Sequence, residues 1–240
     1  MRRMLDLVGM AKKAHPHDQF FANLDETLCS SSQARAQYNA YDRALSYLDQ
    51  DSWEILSEKA VVHFPDHRKG QLKQGFFNQL NEAFAYQYLT KRGYKEVSFL
   101  REDGSKKPDI TYIDGRTRHY CEVKSIGISD NELNRLATNV VFDASIYQKL
   151  SEEFLKKLDD VLNKAHAQIS SQSGPGLVFV VAKFDDFTLS NYDNYRKQIS
   201  YFLSSHEVPE VFVKIGLMGR RHIHKRRSHI ETDAKIEALL

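Results

Sequence analysis

Two hydrophobic periods alternate along this chain, and the changes between them mark its elements. From residue 18 to about residue 60 the period is helical. Phe20, Phe21, Leu24 and Leu28 open it, and Tyr38, Tyr41, Leu45 and Leu48 continue it at three-to-four spacing, with little Gly or Pro. Ser30-Ser31-Ser32 suits a break or cap between helices, and Trp53, Ile55 and Leu56 begin a further short helix or packing segment. The aromatic side chains here read as core and not as a platform for stacked bases. A longer helix is expected over residues 71–92, apolar on most sides and stopped by Gly93. Glu82 stands among Leu80, Ala83, Phe84 and Ala85. It either shares a narrow solvent stripe with Asn78 and Gln79 or is aimed at a site.

The period then shortens to two. Residues 95–100 read as a first strand, leading through Glu102-Asp103-Gly104, a solvated turn, into a hairpin. Ile110 and Tyr112 alternate before the turn signal Asp114-Gly115, and His119, Cys121 and Val123 alternate after it. Residues 125–143 are irregular and could form a loop over a site, with Asn131, Asn134 and Arg135 near a substrate. A helix over 146–170 carries one apolar stripe through Leu150, Phe154, Leu158, Leu162, Ala165 and Ile169, flanked by Lys164 and Gln168. The unbroken apolar run 177–182 is typical of a strand buried on both faces, and a helix before it predicts parallel addition to the sheet. Asp185-Asp186 reads as a pair of loop acids, 192–203 as a helix and 208–215, Pro209 aside, as a last strand. The class is α/β. Its expected parts are an N-terminal helical segment (1–69), a core (70–218) and a basic C-terminal tail (219–240).

Composition changes this picture little. Hydrophobic residues at 41% and charged residues at 28% of 240 are ordinary for a globular protein. No apolar run approaches the ~20 residues of a membrane span, and the start, with its short apolar stretch broken by Asp6, makes a poor signal peptide. No membrane partner is expected, and the cytoplasm is the default location. Cys29 and Cys121 make neither a disulfide framework nor a zinc set. His63 and His67 bracket Pro65, which disfavours the helix that would align them as ligands, so they read as a loop. Charge is more informative. Residues 220–229 hold five Lys/Arg and no acid, and without those five the chain has 29 Lys/Arg against 32 Asp/Glu, or −3. Arg220, Arg221, Lys225, Arg226 and Arg227 therefore suggest a localised anionic contact, with Lys106 and Lys107 as further candidates for a phosphate backbone.

The chemistry concentrates in the hairpin. Glu122 and Lys124, two apart, share a face of their strand. A two-residue turn at 114–115 would set Asp109 opposite Tyr120 and diagonal to Glu122, and a four-residue turn over 114–117 would set it directly opposite Glu122. Both put the three charged groups on one face, whereas a three-residue turn without a bulge would not. Adjacent carboxylates repel unless a proton or a cation intervenes. Mg²⁺ takes one or two carboxylates and leaves positions for water or phosphate oxygens, and Lys124 beside it could orient a water or stabilise phosphoryl charge. The plainer reading is an exposed hairpin with a salt bridge worth ~0–1 kcal/mol, but Cys121, Val123 and Ile126 suggest a central strand.

Pro108-Asp109, twelve residues, then Glu122-Val123-Lys124 resembles the PD-(D/E)xK signature of the restriction-endonuclease-like nuclease superfamily, in a context covering roughly residues 70–185. The resemblance implies a restriction-endonuclease-like mixed β-sheet core flanked by helices, with an N-terminal helical addition. It implies a Mg²⁺- or Mn²⁺-dependent nuclease, most readily on DNA and possible as a homodimer. Asp109 and Glu122 would hold the metal, Glu82 on the preceding helix would complete its shell, Lys124 would position or activate water, and Gln168 would line the site. The rival expectation is a module of the same fold that binds nucleic acid or a partner without cutting it.

Overall fold

The computed structural model describes residues 1–67, 72–101, 104, 106–128, 133–135, 137–138, 148–184, 191–219, 221–227 and 229–232. Seven strands form one sheet in which spatial order follows chain order: β1 (Lys95–Phe99), β2 (Ile110–Asp114), β3 (Thr117–Ile126), β4 (Gly176–Ala182), β5 (Glu210–Ile215), β6 (His222–Arg226) and β7 (His229–Thr232). The central pairs β3–β4 and β4–β5 are parallel, and the outer pairs are antiparallel. The fold is therefore mixed α/β.

Four helices precede the long one: α1 (Arg2–Ala14), α2 (Leu24–Ser30), α3 (Ser32–Leu45) and α4 (Gln50–Val62). The α1 helix lies outside the stretch whose periodicity predicted helix. Its buried Met4, Leu7, Val8 and Ala11 nevertheless fall at i, i+3, i+4 and i+7. Two caps set the neighbouring boundaries, because a side-chain oxygen at the N-cap satisfies an orphan backbone N–H. Ser31 accepts from the N–H of Ala34 to start α3, and Asp49 accepts from that of Ser52 to start α4. The fifth helix, α5 (Gln74–Lys91), ends in a Schellman arrangement, with Gly93 N–H donating to Thr90 and Tyr94 N–H to Leu89.

Helices α1–α5 share one hydrophobic core with Ile110, Tyr112, Cys121, Leu177, Phe179, Val181 and Phe212 on one face of the sheet. The crossover helices α6 (Glu152–Ser170) and α7 (Tyr192–Ser205) cover the other face, packing on Ile126, Val178, Val180, Ala182 and Val213. Strand β4 alternates between these cores, which is why its sequence is an unbroken apolar run. Helix α6 begins six residues later than the periodicity predicts. Ser151 accepts from Phe154 N–H there, and Glu152 and Glu153 occupy the first turn, where the helix dipole favours acids. Strand β5 begins just after Pro209, which has no N–H for the ladder. Among the described residues, no helix is long and apolar enough to cross a membrane.

The basic segment differs most from expectation. Instead of a tail, most of it is β6 and the start of β7, the last two strands of the sheet. His222, His224 and Lys225 are buried. Tertiary partners overrule the polar composition: His224 lies between Tyr88 OH (3.3 Å) and Glu210 (3.2 Å), and Lys225 donates to the His206 carbonyl.

The start of β4 fits against β3 with no room to spare. A Cβ on Gly176 would stand 2.5 Å from the Tyr120 carbonyl oxygen and 2.6 Å from the Ile169 side chain. Because backbone cannot yield as a side chain can, Gly176→Ala is expected to cost about 1–3 kcal/mol. Chemical denaturation of variant and parent checks this.

Candidate functional site

The hairpin register decides what the site can do. Ile110 pairs with Cys121 and Asp114 with Thr117, leaving Gly115-Arg116 as a two-residue loop. Gly115 takes φ 62° and Arg116 stays negative, the pattern of a type II′ turn with glycine first. The loop is thus one residue later than the Asp114-Gly115 signal suggests. Continuing the register by one residue sets Asp109 across from Glu122. The Val123 N–H locks this arrangement by donating to Asp109 Oδ2 at 2.7 Å.

Glu122 and Lys124 face α6. The Lys124 ammonium donates to Glu122 Oε1 at 2.5 Å and to Gln168 Oε1 at 3.0 Å, while Gln168 Nε2 reaches the Lys107 carbonyl at 3.4 Å. The fork of Gln168 thereby ties α6 to the strand carrying the lysine and to the chain entering β2. Lys164, its neighbour on the stripe border, is exposed. The other oxygen of Glu122, Oε2, is buried with no hydrogen-bond partner.

On the other side of the sheet, Glu82 is turned inward and not to solvent, with its side chain 8% exposed. Both its oxygens accept from Lys59 of α4, at 3.0 and 3.1 Å, and the same ammonium lies 3.8 Å from Asp109 Oδ1. One turn of polar contacts fixes α5 here. Asn81 Oδ1 accepts from Tyr41 OH at 3.1 Å, and its Nδ2 donates to Ser125 Oγ at 2.8 Å. Neither Lys59 nor the Asn81–Ser125 link was among the sequence candidates. A signal for Lys59 was present: with Ser52, Ile55, Leu56 and Ala60 buried, it sits at i+7 of an apolar stripe, an unusual place for a lysine.

Three carboxylates and two ammonium groups thus meet with a formal charge of −1. Burial raises the pKa of Glu82 to about 8, helped by the neighbouring Asp109 carboxylate and opposed by Lys59. Burial and then Asp109 likewise raise Glu122 to about 7 against the pull of Lys124. A carboxyl raised in the folded state keeps a proton that the unfolded chain has already released. Unfolding free energy contributed by these groups is therefore largest below the ordinary carboxylate pKa and is lost as pH rises through about 7 to 8. Thermal melts of the protein in chelator are expected to show this loss between about pH 5 and pH 8. The slope should flatten in both Glu82→Gln and Glu122→Gln.

Among the described residues, no three His, Cys, Asp or Glu side chains stand close enough to share one ion. The register brings together two carboxylates, those of Asp109 and Glu122, while Glu82 is engaged by Lys59. The surface candidates divide further. Lys106, Lys107 and Arg227 are exposed, and Arg221 is half-buried over the Tyr192 ring at 5.5 Å. Lys225, 3% exposed, is turned away from any external phosphate. Arg226 is held by Glu210 at 3.3 Å and Tyr94 OH at 3.1 Å. Arg220, Asn131, Glu102, Asp103, Asp185 and Asp186 lie outside the described residues. His63 Nδ1 donates to Asp66 Oδ2 at 2.6 Å within the turn that follows α4. No protein-family model matches this sequence, and neither a curated protein nor a solved structure does.

Proposed function

We propose that this chain is a divalent-metal-dependent nuclease acting on DNA, built on the restriction-endonuclease-like plan that its Pro-Asp…Glu-Val-Lys spacing resembles. One observation carries the reading: Asp109 stands across the hairpin from Glu122, whose second oxygen is buried without a donor beside Lys124. A buried carboxylate oxygen with no partner is costly, and a hard cation is what such an oxygen suits. Asp109 and Glu122 would hold Mg²⁺ or Mn²⁺, for which two carboxylates suffice. When bound, the ion would polarise a phosphoryl oxygen and acidify water. Lys124, steadied by Gln168, is set to hold positive charge beside the phosphate and to orient the attacking water. Glu82 acts behind them by holding Lys59 against Asp109, without joining the pair. Lys106 and Lys107 lie on the approach as exposed phosphate contacts.

The test is a panel of duplex DNA, single-stranded DNA and RNA, each with Mg²⁺, Mn²⁺ or chelator. Cleavage of DNA in either metal and not in chelator is expected, together with a metal-induced rise in Tm that Glu122→Gln abolishes. No cleavage of any substrate and no thermal response to metal would sink the proposal. A second reading has its own support: Lys59 and Lys124 already supply countercharge to Glu82 and Glu122. In that reading the protein binds nucleic acid without cutting it, and salt-sensitive binding with no metal response would distinguish it.

A further inference from the structure

A cavity lies on the α5 face, towards the β5–β6 end of the sheet and apart from the carboxylate pair. It has a volume of about 410 Å³ and is walled by α3 and α5 above and by β4, β5 and the β5–β6 turn below. That volume is within the range of small-molecule sites, roughly 300–1,000 Å³. Its lining includes three cationic residues: Arg43 of α3, Lys214 of β5 and, just before β6, Arg221, whose guanidinium is turned over the Tyr192 ring of α7. No Asp or Glu lines it, and none pairs with these three cations among the described residues.

Lys214 is the unusual member. It rises from a sheet strand into a largely apolar layer, where its ammonium meets the Gly219 carbonyl at 3.3 Å and the Phe84 ring at 5.1 Å. Burial without a countercharge lowers its pKa to about 8. An apolar residue would pack there at less cost, so the lysine is better explained by something it binds. The floor adds to the field. Phe212 is sandwiched between Phe179 (4.9 Å, 13° between planes) and His222 (5.1 Å, 11°). Stacked rings occupy one another's negative faces and leave their positive edges for the cavity. Asn39 and Gln87 add side-chain amides to the wall.

We infer that this cavity binds a small organic phosphate of about nucleotide size, with Arg43 and Lys214 meeting the phosphate and the remaining volume taking the organic body. A guanidinium fork matches phosphate oxygens two at a time, and an arginine beside a lysine suits a multiply charged group better than a lone carboxylate. Its volume matches a single small ligand and not a nucleic-acid strand. The inference is independent of the nuclease reading, since it shares no residue with that site.

Calorimetry and thermal melts of the full chain with ADP, pyrophosphate, citrate and adenosine test it. ADP should bind and raise Tm, pyrophosphate should bind more weakly, and citrate and adenosine should do neither. Lys214→Met is expected to weaken ADP by about 10–100-fold, the worth of a charge-assisted hydrogen bond. It should also raise the Tm of the ligand-free protein, so a folding failure is not expected to obscure the result. Arg43→Gln, at an exposed position on α3, should weaken ADP by about 10-fold without disturbing the core. Three results would overturn the inference: no response to ADP or pyrophosphate at millimolar concentration, equal binding of adenosine, or ADP affinity that survives Lys214→Met and falls in Lys124→Met.

Discussion

Lys124→Met is expected to slow metal-dependent DNA cleavage by about 10²–10⁴-fold, the range for removing a positioned proton-transfer or charge-stabilising group. Methionine keeps most of the side chain's length and volume and loses the charge, so packing against Gln168 changes little. The variant removes two things together. It deletes the cation 2.5 Å from Glu122 Oε1, and it thereby raises the pKa of Glu122 further, weakening that carboxylate as a metal ligand. Metal titration separates the two effects. If Lys124 acts only by keeping Glu122 ionised, saturating Mn²⁺ or higher pH restores the rate. If it acts on the water or phosphate, the loss persists at saturation. Asp109→Asn should cost a comparable factor, because the amide oxygen can still accept from Val123 N–H while the negative charge facing Glu122 is gone. Single-turnover rates across a metal series check both variants. Parental rates in either one would remove the site.

The hairpin was legible because its information is local. Glycine at the turn, alternation on both arms and the two-residue separation of Glu122 and Lys124 permit few registers, and each even-length turn puts the three charges on one face. What the sequence left open was whether Asp109 faces Tyr120 or Glu122, two residues apart on β3, and the pairing of Ile110 with Cys121 decides for Glu122. Strand β4 was legible for a different reason: burial on both faces leaves an unbroken apolar run. The carboxylate on α5 was ambiguous because its helix is apolar almost all round, so periodicity gives Glu82 no preferred side. Its direction comes from Lys59, a residue of another helix 23 positions away. Strands β6 and β7 were not legible at all. His-Ile-His-Lys-Arg carries little apolar alternation, and its burial depends on Glu210, Tyr88 and the His206 carbonyl, none of them neighbours in sequence. The β6 pairing also redirects the charge argument. A tail with five free cations would have been a general phosphate contact, whereas the structure turns Lys225 inward, ties up Arg226 and sets Arg221 over the Tyr192 ring.

Lys59→Met should be the most destabilising single change around the site at alkaline pH, by about 3–5 kcal/mol, because it strands a buried carboxylate. The side chains of Lys59 and Glu82 are 13% and 8% exposed, so solvent screens the pair little. The penalty has a ceiling set by proton uptake. Glu82 already titrates high, and without its ammonium partner it rises further, so at pH 6 the folded protein carries it neutral and the loss is smaller. Glu82→Gln should be milder at every pH, because Lys59 keeps the Asp109 carboxylate at 3.8 Å as a second partner. The double variant Lys59→Met/Glu82→Gln should recover most of the stability lost in Lys59→Met, giving a coupling that grows between about pH 6 and pH 9. Urea denaturation of the four proteins at both pH values measures this cycle. A pH-independent coupling would mean that Glu82 is ionised throughout, and a coupling near zero would mean that Lys59 and Glu82 do not hold each other. The first outcome would remove the raised pKa of Glu82, and the second would remove its role of holding Lys59 behind the Asp109–Glu122 pair.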